Sequence, residues 1–290
     1  MKVLMITGDG QFGPGHPRYD LQKSAVDKLA VVYLGRSAPW PKIPAGRFDV
    51  VTAQDPFWRG LFAWVIARRT GAKFNVQVHT SVLTMLGKFV LRRADSVRVV
   101  SEKIKQQVER AGVTAPVHVL PIYIEISKFK TIVRHPSKSD LLDKTILWIG
   151  RFEDEKDPLL ALEVLKQVPG AKLIMLGKGS LEATLRDTSA GLPVEFLGWR
   201  DPAPYLAAAD VVLCTSKHES WGASIIEALA AGVPVVAPDV GVAREAGATV
   251  VTREKLAETV VDVLKSGQRG TLTLQLPSAE EWAKRWKETL

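Results

Sequence analysis

Apolar runs of about five residues alternate along the chain with amphipathic stretches of ten or more. That is the pattern of a parallel sheet whose strands are covered on both faces by crossover helices, and it predicts an α/β fold. In the first half the strands read as 3–7, 29–34, 49–52, 74–79, 96–100 and 117–120, and the helices as 17–27, 57–70, 82–94 and 102–111. Gly71 and Gly112 stand where helices should stop. The polar stretch 132–144 has no period and reads as a linker. Beyond it, strands are expected at 145–149, 171–176, 194–197, 210–214 and 233–237. Asp157 and Pro158 suit the cap and first turn of the helix after the first of these, and Ala161, Leu162, Leu165 and Val168 form its apolar stripe. The final helix opens with a Ser278-x-x-Glu281 capping box and sets Trp282 and Trp286 on one face, which calls for something to pack against.

With 290 residues, 46% of them hydrophobic, the chain can bury a core in each of two domains. No apolar run approaches the roughly 20 residues that cross a bilayer. The opening residues read as a buried strand and not an export signal, so a cytoplasmic location is expected. A single cysteine, Cys214, allows no internal disulfide and agrees with a reducing compartment. The net charge of +8 attracts anions, whether phosphate-bearing substrates or an anionic surface at the inner face of a membrane. No nucleic-acid recognition motif accompanies that charge, and nucleic acid is not expected as a partner. The five histidines are not at ligand spacing, so no metal is expected.

Three fragments carry chemistry. The first runs from Gly150 and Arg151 to Lys156 and Asp157, a strand end followed by two cations and a capped helix. Ligands of open α/β sheets bind at such strand ends, and a pyrophosphate fits beside the helix N-terminus. Arg151 can grip phosphate oxygens with its planar fork and Lys156 can supply a compact charge as a diphosphate departs. The same cations can instead pair with Glu153, Asp154 and Glu155. The second fragment runs from Glu219 through Ser220, Trp221 and Gly222 to Glu227, again a strand end turning into a helix. Gly222 allows close approach to backbone amides, Glu227 can accept hydrogen bonds from paired ribose hydroxyls, and Glu219 can bind hydroxyls of a sugar. Solvated surface glutamates would look the same. The third, Gly177-Lys178-Gly179, suits a phosphate or sugar near the backbone, or a tight turn with no ligand.

As a set, in order and spacing, these fragments resemble the donor domain of GT-B glycosyltransferases, specifically the retaining glycosyltransferase family 4. Phe196-Leu197-Gly198-Trp199 and the run from Ala228 to Val236 add to the likeness. The resemblance implies two Rossmann-like domains with parallel sheets facing across a cleft. Residues 1–140 would bind acceptor, residues 141–277 would bind the nucleotide sugar, and a final helix at 278–290 would cross back to the first domain. It implies Arg151 and Lys156 on the donor diphosphate, Glu227 on the ribose, Glu219 with Ser220, Trp221 and Gly222 near the sugar, Gly177 and Gly179 at the donor, and Trp199 near the base.

The first half is similar to the family's acceptor domain, more loosely. His79 stands at a strand end where the family often has a histidine beside the sugar, although Thr80 replaces the usual aspartate, and Ile122-Tyr123 stands where the family has Asn-Gly. The loop carrying Gly13 and Gly15 replaces a compact Gly-Gly loop near the phosphates and acceptor. The expected activity is retaining transfer of a hexosyl-type sugar from a UDP- or GDP-linked donor to a glycan or lipid-linked acceptor. The nucleotide sugar is a co-substrate, no further cofactor is called for, and Glu219, His79, Arg151 and Lys156 are the catalytic candidates. The competing expectation is a scaffold of the same fold that binds nucleotide sugar without transferring it.

Overall fold

Val3, Leu4, Met5 and Ile6 are all fully buried, as a run that is apolar on both faces of a sheet must be. The computed structural model describes residues 1–35, 42–80, 83–134 and 144–290. The chain divides into two compact units, one of Met1–Tyr123 with Leu276–Leu290, the other of Ile124–Gln275.

The first unit runs through β1 (Lys2–Thr7), α1 (Pro17–Ser24), β2 (Lys28–Tyr33), β3 (Val50–Ala53), α2 (Trp58–Thr70), β4 (Lys73–Val78), α3 (Met85–Leu91), β5 (Ser96–Val99), α4 (Glu102–Arg110) and β6 (Val117–Val119). The second holds α5 (Ser127–Lys130), β7 (Thr145–Ile149), α6 (Pro158–Lys166), β8 (Lys172–Leu176), α7 (Glu182–Thr188), β9 (Val194–Gly198), α8 (Ala203–Ala208), β10 (Val211–Leu213), α9 (Ala223–Ala230), β11 (Val235–Ala237), α10 (Ala243–Ala246), β12 (Thr249–Val250) and α11 (Leu256–Ser266). The final helix, α12 (Ala279–Glu288), belongs to the first unit.

Each unit is built on one six-stranded sheet, ordered β2-β1-β3-β4-β5-β6 in the first and β12-β11-β10-β7-β8-β9 in the second. All strand pairs are parallel. Strand order reverses between β1 and β3 in one unit and between β7 and β10 in the other, and those are the crevices where such sheets receive ligands.

The division falls after Tyr123, ahead of the boundary read at residue 140, which lies outside the described residues. Arg134 explains part of this: its guanidinium donates to the carbonyls of Gly232 at 2.8 Å and Ala209 at 2.6 Å, inside the second unit. Phe129 on α5 is buried there as well. The helix expected over 17–27 ends at Ser24, because Val26 turns into the core and the Asp27 amide bonds the Met1 carbonyl at the start of the sheet. The helix expected from Val82, a residue outside those described, starts at Met85 on a Thr84 cap. Strand β12 escaped the pattern because two residues carry no period.

Asp157 caps α6 through the Leu160 amide, and Ser278 caps α12 through the Glu281 amide at 3.2 Å. Trp282 and Trp286 are fully buried in a cluster with Val3, Met5, Phe12 and Tyr19. The Trp282 indole donates to the Pro121 carbonyl at 2.7 Å. The second unit has its own core around Trp148, Phe152, Leu162, Leu173 and Leu213.

Candidate active site

The loop after β7 and the loop after β10 flank the crevice of the second unit, and hydrogen bonds join them side by side. The Thr215 hydroxyl donates to the Lys156 carbonyl at 2.9 Å, and the Lys217 amide donates to the Glu155 carbonyl at 2.9 Å. The Lys217 ammonium reaches Asp154 at 2.6 Å. At the centre the Lys156 ammonium meets Glu219 Oε1 at 2.5 Å, and Ser216 Oγ donates to the same oxygen at 2.9 Å. Both members of this ion pair are largely shielded from water, so their attraction is stronger than that of a surface pair.

The two cations therefore part company. Arg151 stays exposed and pairs with Glu155 four residues on, the ordinary local pairing open to it. Lys156 passes its acidic neighbours and crosses to the second fragment. Its conformation follows from the chain around it: Asp157 adopts φ +45°, which costs strain in a non-glycine residue, and Arg253 holds its carboxylate while donating to the Thr215 carbonyl at 2.5 Å. The Trp148 indole, within the sheet core, donates to Thr215 Oγ1 at 2.9 Å.

The glycines of the third fragment have a packing reason. A Cβ on Gly177 would lie 1.8 Å from the Gly150 carbonyl oxygen, and one on Gly179 would lie 2.4 Å from that of Phe152. The loops after β7 and β8 run backbone to backbone, with the Phe152 amide donating to Lys178 O and the Leu181 amide to Phe152 O, both at 2.9 Å. Ser180 then donates its amide and hydroxyl to Glu153, at 3.0 and 2.6 Å, which holds that carboxyl below its usual range. Gly177 and Gly179 thus fix the wall of the crevice.

Gly222 precedes α9 with φ +96°, placing the first amides of that helix beside Trp221. Ser220 lies half-buried in the same turn. The Trp221 side chain is buried, and its indole nitrogen has no hydrogen-bond partner among the described residues. On α9, half-buried Glu227 has its carboxyl pushed up to about 7, chiefly by burial, with Asp201 adding repulsion and Lys128 opposing it. Trp199, just past β9, is exposed.

In the first unit, the loop with Gly13 and Gly15 follows β1 at that sheet's own crevice, where Thr7 Oγ1 donates to Gln54 Oε1 at 2.6 Å and ties the ends of β1 and β3. Gly15 takes φ +86°, whereas a Cβ on Gly13 would meet open space. His79 follows β4. Burial, then the guanidinium groups of Arg98 and Arg18, hold its pKa well below the ordinary value, so the ring is neutral at pH 7. Among the described residues no cluster of three His, Cys, Asp or Glu side chains could hold a metal ion.

Arg253, Thr215 and Ser216 were missed by the sequence reading. Arg253 lies 34 positions past Glu219 with no motif around it, and only strand order brings it near.

Two family models match: "Glycosyl transferases group 1" over residues 143–266 and "Glycosyltransferase Family 4" over residues 22–128. A lipopolysaccharide core biosynthesis glycosyltransferase of Rhizobium meliloti is 28% identical over 150 residues, 50% of this chain and 44% of the relative. An alpha-monoglucosyldiacylglycerol synthase of Streptococcus pneumoniae is 27% identical over 228 residues, 66% of this chain and 52% of the relative. The chain thus spans about half the length of these curated relatives. Among solved structures, HepE of Anabaena in complex with UDP-glucose superposes with a TM-score of 0.74 at 18% identity, covering 100% of this chain and 95% of that one. The shared architecture is the GT-B fold.

Proposed function

We infer, from the premise that the chain belongs to the group 1 and family 4 glycosyltransferases, that it moves a hexosyl-type sugar from a nucleoside-diphosphate sugar to a glycan or lipid-linked acceptor. The donor sits at the β7/β10 crevice of the second unit. The observation that carries this reading is the Lys156–Glu219 pair, which joins the phosphate-type and sugar-type fragments at a topological switch point beside the start of α6.

Lys156 faces the departing diphosphate, and Arg151 leaves Glu155 to reach a phosphate oxygen, an exchange that an exposed ion pair resists little. Glu227 accepts the ribose hydroxyls; half-buried without a bonded partner in the described structure, its carboxyl gains from such donors. The Trp221 indole N–H, buried in the turn before α9, has no partner among the described residues. Transfer proceeds with retention and without a metal: the acceptor oxygen bonds the anomeric carbon on the face the diphosphate leaves, and the acceptor proton passes to the departing diphosphate. Neutral His79 is suited to accept a hydrogen bond from a sugar hydroxyl. The names of the Rhizobium and Streptococcus relatives support a glycan or lipid-linked acceptor, and the HepE complex supports a uridine donor, with guanosine as the alternative.

Thermal unfolding against uridine, guanosine and adenosine diphosphate sugars tests the donor site, since ligand at 100 times its dissociation constant adds about 2.7 kcal/mol of stability. The expected result is a shift with one donor that vanishes in Glu227→Ala. No shift with any donor overturns the reading, and a shift without transfer replaces it by a binding scaffold.

A further inference from the structure

Gln77, on β4, and His79, just past its end, are two residues apart and so face the same side of the first unit's sheet. Arg98, the register partner of Gln77 on β5, donates to Gln77 Oε1 at 2.8 Å and lies over the Trp282 ring at 5.3 Å. Arg18, in the first turn of α1, lies over the Phe12 ring at 5.8 Å, and Phe12 belongs to the same aromatic cluster as Trp282. Three basic groups from three elements are thus gathered in one region: both guanidinium groups act on His79, and Arg18 acts on Arg98. Their charge is poorly met. Arg98 is fully buried, and its acceptors, Gln77 and the carbonyls of Leu120 and Pro121, are neutral. Arg18 is half-buried, and its guanidinium makes no hydrogen bond or ion pair among the described residues. Asp9 is the carboxylate that acts on it, and Asp9 already accepts from the Gln11 amide at 3.0 Å. Nearby, Asp20 accepts from the Gly15 amide at 3.5 Å, and His16 Nδ1 accepts from the backbone amide of Arg18 at 3.2 Å. The half-buried His79 ring has no hydrogen-bond partner among the described residues. Shielding cations from water without a counter-charge is costly, and an anion taken from solution offsets that cost.

We propose that Arg18 and His79 form an anion subsite in the first unit that seats a phosphate or carboxylate group of the acceptor, with Arg98 as a fixed positive charge close to it. A planar guanidinium free of other bonds grips either group with two parallel N–H donors, and an imidazole N–H adds another. A neutral sugar leaves the charge of this region unmatched, so the subsite favours an acidic acceptor over a neutral one. Arg18 as a mere cover for the Phe12 ring accounts for its position. It does not account for the unbonded His79 ring or for the missing counter-charge of Arg98. That the anion belongs to the acceptor rests on the transferase reading, whereas the subsite itself does not.

Titration of the purified chain with methyl phosphate and with acetate tests the subsite, read from the His79 ring signals in NMR spectra and assigned by their loss in His79→Gln. The expected outcome is a saturable displacement of those signals, and the anion that binds more tightly identifies the group. Arg18→Gln should weaken binding by about tenfold or more with an unchanged melting temperature, since its guanidinium bonds nothing in the described structure. Arg18→Lys should weaken it less, because the charge stays and only the planar fork is lost. Lys156→Ala, which removes a cation of the second unit, should leave the response intact. The subsite is overturned if neither anion moves the His79 signals, if Arg18→Gln responds like wild type, or if Lys156→Ala abolishes the response. Octyl glucuronide, octyl glucoside 6-phosphate and neutral octyl glucoside, compared through the same signals, test the occupant. One of the charged glycosides should bind at least about tenfold more tightly than the neutral one, and Arg18→Gln should erase that difference while keeping the donor-induced thermal shift. Equal binding of charged and neutral glycosides, or no binding of any, overturns the acceptor assignment. A donor shift lost in Arg18→Gln overturns it too, by giving Arg18 to the donor. A wild-type chain with no donor shift removes the transferase reading and leaves the His79 response to decide the subsite alone.

Discussion

The two units share a sheet architecture but not a way of using it. In the second, the strand ends at the crevice are joined by hydrogen bonds between loops, and the strands beneath them are almost wholly apolar. In the first, polar side chains run through the sheet itself. Thr52 donates to Asn75, Asn75 to Ser96 and to the Thr289 carbonyl just past α12, and Arg98 donates to Gln77 and to the carbonyls of Leu120 and Pro121. The Arg98 guanidinium is buried without a carboxylate bonded to it, over the Trp282 ring at 5.3 Å, and its pKa falls to about 9. In the first unit, then, buried polar groups run from strand to strand and reach the end of α12 through Asn75, with the bond from Thr7 to Gln54 at its crevice, while the second gathers its polar groups at the rim. Loops tied by several short bonds hold fixed geometry, which is what the donor site proposed for the second unit requires.

Breaking the first arrangement should have the largest effect. Trp282→Ala removes a fully buried ring together with its bond to Pro121, and should cost about 3–5 kcal/mol in chemical denaturation. Hydrogen exchange should place the loss at the amides of β1 and β2 and spare those of β7 and β8.

A smaller effect sharpens the second arrangement. Between pH 4.5, the ordinary value for a glutamate, and about 7, Glu227 is protonated in the folded chain and ionised in the unfolded one. Folding then takes up a proton, so stability falls as pH rises through that window and levels off above it, by on the order of 2–3 kcal/mol. Glu227→Gln should remove that slope. If Glu227 takes the ribose as proposed, donor affinity should show the opposite trend, rising as pH climbs through 7, because hydroxyls donate better to the ionised form.

The smallest effect concerns Arg253, which reaches the site only through Asp157 and Thr215. Arg253→Ala should lower turnover by roughly tenfold through a displaced Lys156 while leaving the donor KM nearly constant, and Arg253→Lys should restore part of it. Equal changes in both parameters would mark Arg253 as a merely structural residue.

Much of this was legible in the sequence where the signal is local. Buried parallel strands announce themselves as short apolar runs, and Asp157-Pro158 and Ser278-x-x-Glu281 mark helix starts by chemistry confined to one turn. The Lys156–Glu219 contact was not legible, since 63 positions separate the partners and the strand order between them decides who meets whom. Gly177 and Gly179 drew attention as a ligand-type motif, but their contacts are with the backbone of Gly150 and Phe152, which no sequence pattern displays.

If the Lys156–Glu219 crossing is the reacting centre of a sugar transferase, as proposed, Lys156→Ala should expose it once the donor is known. With the melting temperature and Glu227-dependent donor binding retained, release of nucleoside diphosphate should fall by about a hundredfold or more. Turnover at the wild-type rate in that folded variant would remove Lys156 from the chemistry.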